Sequence, residues 1–249
     1  MIVIKSDLDG QIDQLFGNNG TFRIVPQPNY LLFHNDSILN PQNDTIYIVG
    51  QEIQMSYPPQ TGIYIAAVNV QSNGSLAGEF RFSIPNGDSP LPTDIELDSN
   101  GNILVVGNVD ISNDQCIFVA KLLPNGNFAN FGNSGIYTEN ILGPQSVKIA
   151  HDCAIDFSGK IYIVGTMDFD TTSTSQQDAF LTRLNSNGQR ELLSPHNNGV
   201  LRIRNVADLN AIDAFNSILI NNNTIFLTGY SNSNSNSLSI TLKLISNQN

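Results

Sequence analysis

DTIYIVG (residues 44–50), GNILVVG (101–107), GKIYIVG (159–165) and NTIFLTG (223–229) are one segment written four times, and that repetition decides how the rest of the chain is read. The closing glycines, Gly50, Gly107, Gly165 and Gly229, lie 57, 58 and 64 residues apart. A recurring period of this size marks one supersecondary unit in tandem. Just before each copy lies a second shared segment: DSILN (36–40), DIELD (94–98), DCAID (152–156) and SILIN (217–221). Just after each comes a third: GIYIAAVNV (62–70), CIFVAKLL (116–123), AFLTRLN (179–185) and SITLKLI (239–245), with a further copy, MIVIKS, at residues 1–6. A fourth closes the unit as FGNNGTFRI (16–24), FGNSGIYT (131–138) and PHNNGVLRI (195–203), with a degenerate copy at EFRFSI (79–84). The dipeptides Asp9-Gly10, Asn73-Gly74, Asn125-Gly126 and Asn187-Gly188 separate the third segment from the fourth. Such pairs predict tight primed hairpin turns.

Each period therefore predicts four short β-branched strands, A to D, and no helical stretch. Composition agrees: of 249 residues 13% are charged, the acid is 17 Asp against 5 Glu, Asn reaches 33 and Trp is absent. Asp, Asn and Gly favour turns, and a helical domain leans instead on Glu, Lys, Ala and Leu. Four-stranded antiparallel units in tandem describe the blades of a β-propeller. One domain spanning 1–249 is expected, with units at about 30–84, 93–138, 150–203 and 215–249, the last completed by 1–24. Counting gives four A–B pairs, four D strands and five C strands, hence four blades, with five as the alternative. The N-terminal D strand is expected to complete the last blade and so close the ring.

The motifs D-x-x-[LI]-[DN], N-G-x-I-[LY]-[IV]-V-G, the basic residue of strand C and F-G-N-[NS]-G resemble the delta-60-repeat β-propellers of bacterial proteins, and more loosely NHL repeats. The likeness covers nearly the whole chain. The second unit departs from it, with Ala67 in place of the base and no F-G-N-N-G, so an irregular outer strand is expected there. The resemblance implies fold more than activity, because such proteins are repeat-bearing secreted or surface proteins without a common catalytic site.

The net charge of −11 and pI near 4.4, with no basic cluster, argue against nucleic acid and anionic membrane as partners. No apolar run approaches a membrane span, and MIVIKSDLDG has no signal-peptide pattern, so the surface location implied by the resemblance has no leader beside it. Cys116 and Cys153 sit in strand-like runs and are expected as buried free thiols.

Residues recurring in every unit are expected to serve the fold. Asp36, Asp94 and Asp152 could ring an axis and hold a cation, but Ser217 in the fourth unit favours backbone hydrogen bonding over charge. Lys5, Lys121, Arg183 and Lys243 recur in strand C, with Asp110 and Asp168 as expected partners. DLDGQID (7–13) has the outline of a calcium loop but lacks its final Glu and aligns with plain turns. The B-to-C loops differ in every unit, as binding loops on a rigid scaffold do. Asp168, Asp170 and Asp178 there are a weaker candidate for Ca²⁺, and the SNSNSNS tract (231–237) reads as a flexible loop. His34 and His151 flank the strand A aspartates and His196 stands in a D-side turn; a nucleophile set of His151, Asp152 and Cys153 is disfavoured because neighbours on a strand point to opposite faces.

The expected function is a non-enzymatic binding module without cofactor or metal, recognising a protein or glycan through Glu52, Tyr57, Asp110, Asp114, Asp168, Asp170 and Tyr230. The alternatives are a self-assembling homo-oligomer using the surplus C strand, and a glycan-processing enzyme using the axial carboxylates. No G-x-S-x-G, H-E-x-x-H, GxGxxG or phosphate loop is present.

Overall fold

A computed structural model describes residues 1–70, 74–139, 148–168, 177–192, 199–204, 206–207, 211–222, 224–233 and 237–245. Within them the fold is all-β, with seventeen strands and no helix. Sheet I comprises β3 (Tyr30–Asn40), β4 (Thr45–Gln54), β5 (Gln60–Asn69) and β6 (Ser75–Phe82). Sheet II holds β7 (Gly87–Leu97), β8 (Ile103–Ile111), β9 (Asp114–Leu122) and β10 (Ile136–Glu139). Sheet III holds β11 (Lys148–Ile155), β12 (Ile161–Asp168), β13 (Gln177–Leu184) and β14 (Val200–Ile203). Sheet IV has three strands, β15 (Ile212–Asn221), β16 (Thr224–Asn232) and β17 (Ser237–Ile245), and a separate hairpin pairs β1 (Ile2–Ile4) with β2 (Thr21–Arg23). All pairing is antiparallel between strands consecutive in the chain. The assignment to types A, B, C and D is met strand for strand: four A, four B, five C and four D.

The expected pairing of the first D strand with the last sheet does not form. β2 pairs with β1, Val3 opposite Phe22, and the hairpin packs on sheet I. The local reason is proximity: β1 and β2 are joined through their own turns, including the Ser6–Ile12 bridge, and Phe16 and Ile24 bury themselves against Ile48, Tyr64 and Val68.

Successive sheets stack face to face in chain order. Tyr47, Val49 and Ile65 of sheet I meet Ile95, Val105 and Phe118 of sheet II. Leu104, Val106 and Val119 on the other face of sheet II meet Cys153, Ile163 and Phe180 of sheet III. Tyr162, Val164 and Leu181 then meet Phe215, Ile218 and Leu227 of sheet IV. A strand covered on both faces needs apolar residues on both, so ILVV and IYIV are continuous runs rather than alternations.

The invariant strand B glycine has a steric cause. Every A strand carries a β-bulge opposite it, at Asn35, Thr93, His151 and Asn216. The bulge pushes the strand A backbone inward, so that a Cβ on Gly50, Gly107, Gly165 or Gly229 would lie 1.8, 2.2, 1.9 or 1.9 Å from the carbonyl oxygen of Phe33, Leu91, Ile149 or Ala214. A side chain there cannot coexist with the bulge.

Two further expectations are corrected. The turns at Asp9-Gly10, Asn125-Gly126 and Asn187-Gly188 are not primed, while Asn73 lies outside the described residues: the amide of Gly10 donates to the Asp7 carbonyl at 3.2 Å, and in each of the three pairs only the glycine has positive φ, +79° at Gly10. That is an ordinary turn followed by a bulged glycine, and DLDGQID forms it, with Asp7 Oδ1 accepting from the amides of Asp9 and Gln11. The strand C bases do not pair with Asp110 and Asp168. Lys121 lies opposite Leu104 and Asp110 opposite Gln115, at opposite ends of one ladder. Lys121 instead reaches Asp98 at 2.9 Å, Arg183 reaches Glu191 at 2.7 Å and Lys5 reaches Asp13 at 3.1 Å. In sheet I, where Ala67 replaces the base, Arg81 of β6 stacks 4.8 Å over Tyr64 and binds Glu52 and Glu79. The outer strand there, β6, has eight residues with a register shift opposite Ala67 and Val68.

Candidate functional site

The strand A aspartates lie along the line where the sheets meet, and they work on backbone. The Ile95 amide donates to Asp36 Oδ2 at 3.2 Å and Asp94 Oδ1 at 2.9 Å. One sheet further on, the Cys153 amide donates to Asp94 Oδ2 and to Asp152 Oδ1, both at 2.8 Å. The Ile218 amide then donates to Asp152 Oδ2 at 2.8 Å. Each carboxylate thus satisfies an amide in the following sheet, and Asp94 and Asp152 one in their own as well. The bulge supplies these donors, since a bulged strand leaves amides out of the ladder.

The same joints carry a second link that sequence reasoning missed. Gln51 Nε2 donates to the Pro90 carbonyl at 3.0 Å and Thr166 Oγ1 to the Asp213 carbonyl at 2.9 Å. Asn108 Oδ1 accepts from the Ala150 amide at 2.9 Å. All three follow the strand B glycine directly, and the recurrence of a hydrogen-bonding side chain after V-G was the available signal. His151 Nδ1 lies 2.9 Å from the Phe215 carbonyl oxygen, and both cysteines are buried free thiols, as expected. His151, Asp152 and Cys153 are thereby engaged in packing and backbone contacts, whereas His196 lies outside the described residues.

Burial and mutual repulsion act on this line of acid. Asp94 is pushed up to about 8, first by desolvation and then by the neighbouring Asp152 charge. Glu96 is pushed up to about 7, again mainly by desolvation. The unfolded chain releases these protons near the ordinary carboxylate values, so the folded state holds more protons from about pH 4 to about 8. Their contribution to stability is complete in acid and is lost as pH rises through that window. We expect thermal stability to fall from pH 5 to 8, and Asp94→Asn to remove up to about 1.4 kcal/mol per pH unit from the slope. Denaturant titrations at four pH values check this; parallel slopes for the two proteins would refute it. Among the described residues no His, Cys, Asp and Glu group is arranged to hold a metal ion.

The described B-to-C loops, residues 55–59 and 112–113, leave the end of the sheets at which the B strands finish. Tyr57 is fully exposed there beside the exposed Met55. Asp110 lines a cavity of about 150 Å³ between sheets II and III with Ser89, Asn108, Gln115 and Ile149. The Gln115 side-chain oxygen is buried with no hydrogen-bond partner, and Asp114 adjoins it. Tyr230 is half-buried in β16. Glu52 is buried and held by both its oxygens on Arg81 Nε, at 3.0 and 3.1 Å. Asp168 ends β12 opposite Gln177, and Asp178 is buried in an ion pair with Arg202. Asp170 lies outside the described residues.

No protein-family model matches the chain, and no curated protein matches it. Among the described residues no helix is long and apolar enough to cross a membrane.

Proposed function

We propose that sheets I to IV and the β1–β2 hairpin are successive blades of a propeller of the delta-60-repeat kind, and that the protein is a non-enzymatic binding module whose B-to-C loops recognise a protein or a glycan. The observation that carries this is the division of labour among polar side chains. The recurring strand A aspartates accept neighbouring backbone amides and the strand C bases Lys5, Lys121 and Arg183 pair with acids, whereas Tyr57, Asp110 and the unpartnered Gln115 oxygen stand at the loop end without such employment. An exposed aromatic on one B-to-C loop and a small polar cleft at another suit a partner rich in hydroxyl or amide groups, because the aromatic supplies contact area and the cleft supplies direction. The axial carboxylates favour binding over hydrolysis, since both oxygens of Asp94 and of Asp152 already accept amides. A bacterial surface setting rests on the resemblance of the repeats.

The test is a glycan array and an immobilised-protein screen with wild type beside Tyr57→Ala and Gln115→Ala. We expect a hit to weaken about ten-fold or more in either variant while the melting temperature stays within about 2 °C. Interactions insensitive to both, together with a hydrolytic activity lost in Asp94→Asn, would move the site to the axis.

A further inference from the structure

The three internal joints repeat one recipe, and the front of sheet I presents half of it unfilled. At each joint the strand A backbone of the later sheet receives a carboxylate from the earlier one, on the amides of Ile95, Cys153 and Ile218. Ser37, after Asp36, occupies the corresponding position in sheet I. The β1–β2 hairpin lies in front of sheet I as strands C and D of a preceding unit would, and covers its outer part. Where strands A and B of that unit would lie there is a cleft of about 410 Å³, lined by β1, His34, Ser37, Ile46 and Ile48. One edge of β1 faces this cleft. Met1 and Lys5 bond toward β2, through Ile24 and Gly20, so by ladder alternation the backbone groups of Ile2 and Ile4 point the other way. Their side chains are 57% and 60% exposed.

The opposite end of the stack is finished differently. The outward positions of sheet IV include Ser217, Thr228, Ser239 and Thr241, all exposed, beside Phe226 and the 64% exposed Leu219. The equivalents in sheet II are Asp94, Val106, Ile117 and Val119, all buried. At Thr228, Ser239 and Thr241 an apolar residue has become a hydroxyl, and at Ser217 the linking carboxylate is gone, changes of the kind found on the capping unit of a repeat array. Neither this chain's own sheet IV nor that of a second copy therefore offers the carboxylate that the front of sheet I is built to meet.

We propose that the front of sheet I is a β-augmentation site, filled by a two-stranded segment of a partner polypeptide. One strand pairs with β1, and the other places an Asp or Glu carboxylate on the Ser37 amide while its apolar side chains cover Ile46 and Ile48. The site continues the series of sheet-to-sheet joints, which fixes the chemistry of its occupant.

The probe is a synthetic peptide of residues 87–111, this chain's own β7–β8 pair, added to the intact protein. We expect saturable one-to-one binding that slows amide exchange at Ile2, Ile4 and Ser37 at least ten-fold. A peptide with Asp94→Ala should bind about ten-fold more weakly, and Ile2→Pro or Ile4→Lys in the protein should weaken binding as much, both sites being exposed enough to spare the fold. Tyr57→Ala should leave peptide binding unchanged, which separates this site from the loop end. No added protection, equal binding by the edge variants, or indifference to the peptide's Asp would overturn the proposal. So would protection of those amides without peptide: at all dilutions it assigns the cleft to the chain's own terminal sheet, and if lost on dilution, to a second copy.

Discussion

Gly165→Ala is expected to lower stability by about 3 kcal/mol or more, and the melting temperature of a chain of this size by roughly 10 °C. The added Cβ would sit 1.9 Å from the Ile149 carbonyl oxygen and 2.9 Å from the Phe180 ring, both inside the core. Backbone cannot give way there, because the bulge that brings Ile149 inward also aims the Cys153 amide at Asp94 and Asp152. Gly10→Ala is the control. That glycine has φ +79° and an added Cβ would meet nothing within 4 Å, so only its backbone conformation resists a side chain, at about 1 kcal/mol. Denaturant unfolding of the two variants beside wild type measures the difference. Equal losses would mean that the repeated V-G records turn preference and not the close approach of strand A.

That glycine also shows how far the sequence could be read. Its recurrence placed every B strand and, through the flanking segments, all seventeen strands, because a strand buried on both faces is apolar at consecutive positions. What stayed hidden depends on register. The bulges at Asn35, Thr93, His151 and Asn216 fall on three different residue types, so no one residue type announces them. Once strand A is shifted by one residue, period-two reasoning about which side chains share a face fails within it. The strand C bases were given the wrong acids for a related reason: Asp110 is in the adjacent strand of Lys121, but at the far end of the ladder, while Asp98 arrives through the A-to-B turn. The candidate contact residues divide likewise. Tyr57 and Asp110 stand at the loop end, whereas Glu52, three residues before Met55 in β4, is drawn inward by Arg81, a base from a strand that the repeat pattern left degenerate.

Asp152→Ala should cost about 2–3 kcal/mol, because it leaves the Ile218 amide without its acceptor at the joint between sheets III and IV and takes one of two acceptors from Cys153. Ser217→Ala, the matching position one sheet later, should change stability by less than about 0.5 kcal/mol, since that side chain is exposed. Asp152→Asn decides what the carboxylate is for. If Asp36, Asp94 and Asp152 were gathered to hold a cation, added Ca²⁺ would raise the melting temperature of wild type alone. If the group serves as an acceptor, the amide keeps one oxygen for one of two donors while its NH₂ confronts the other. The variant should then fall between wild type and Asp152→Ala, with Ca²⁺ without effect on any of them. Hydrogen exchange at Cys153 and Ile218 separates the two roles residue by residue: faster exchange at both amides in Asp152→Ala, with distant sheets unchanged, is the signature of a lost link between neighbouring sheets rather than of an emptied ion site.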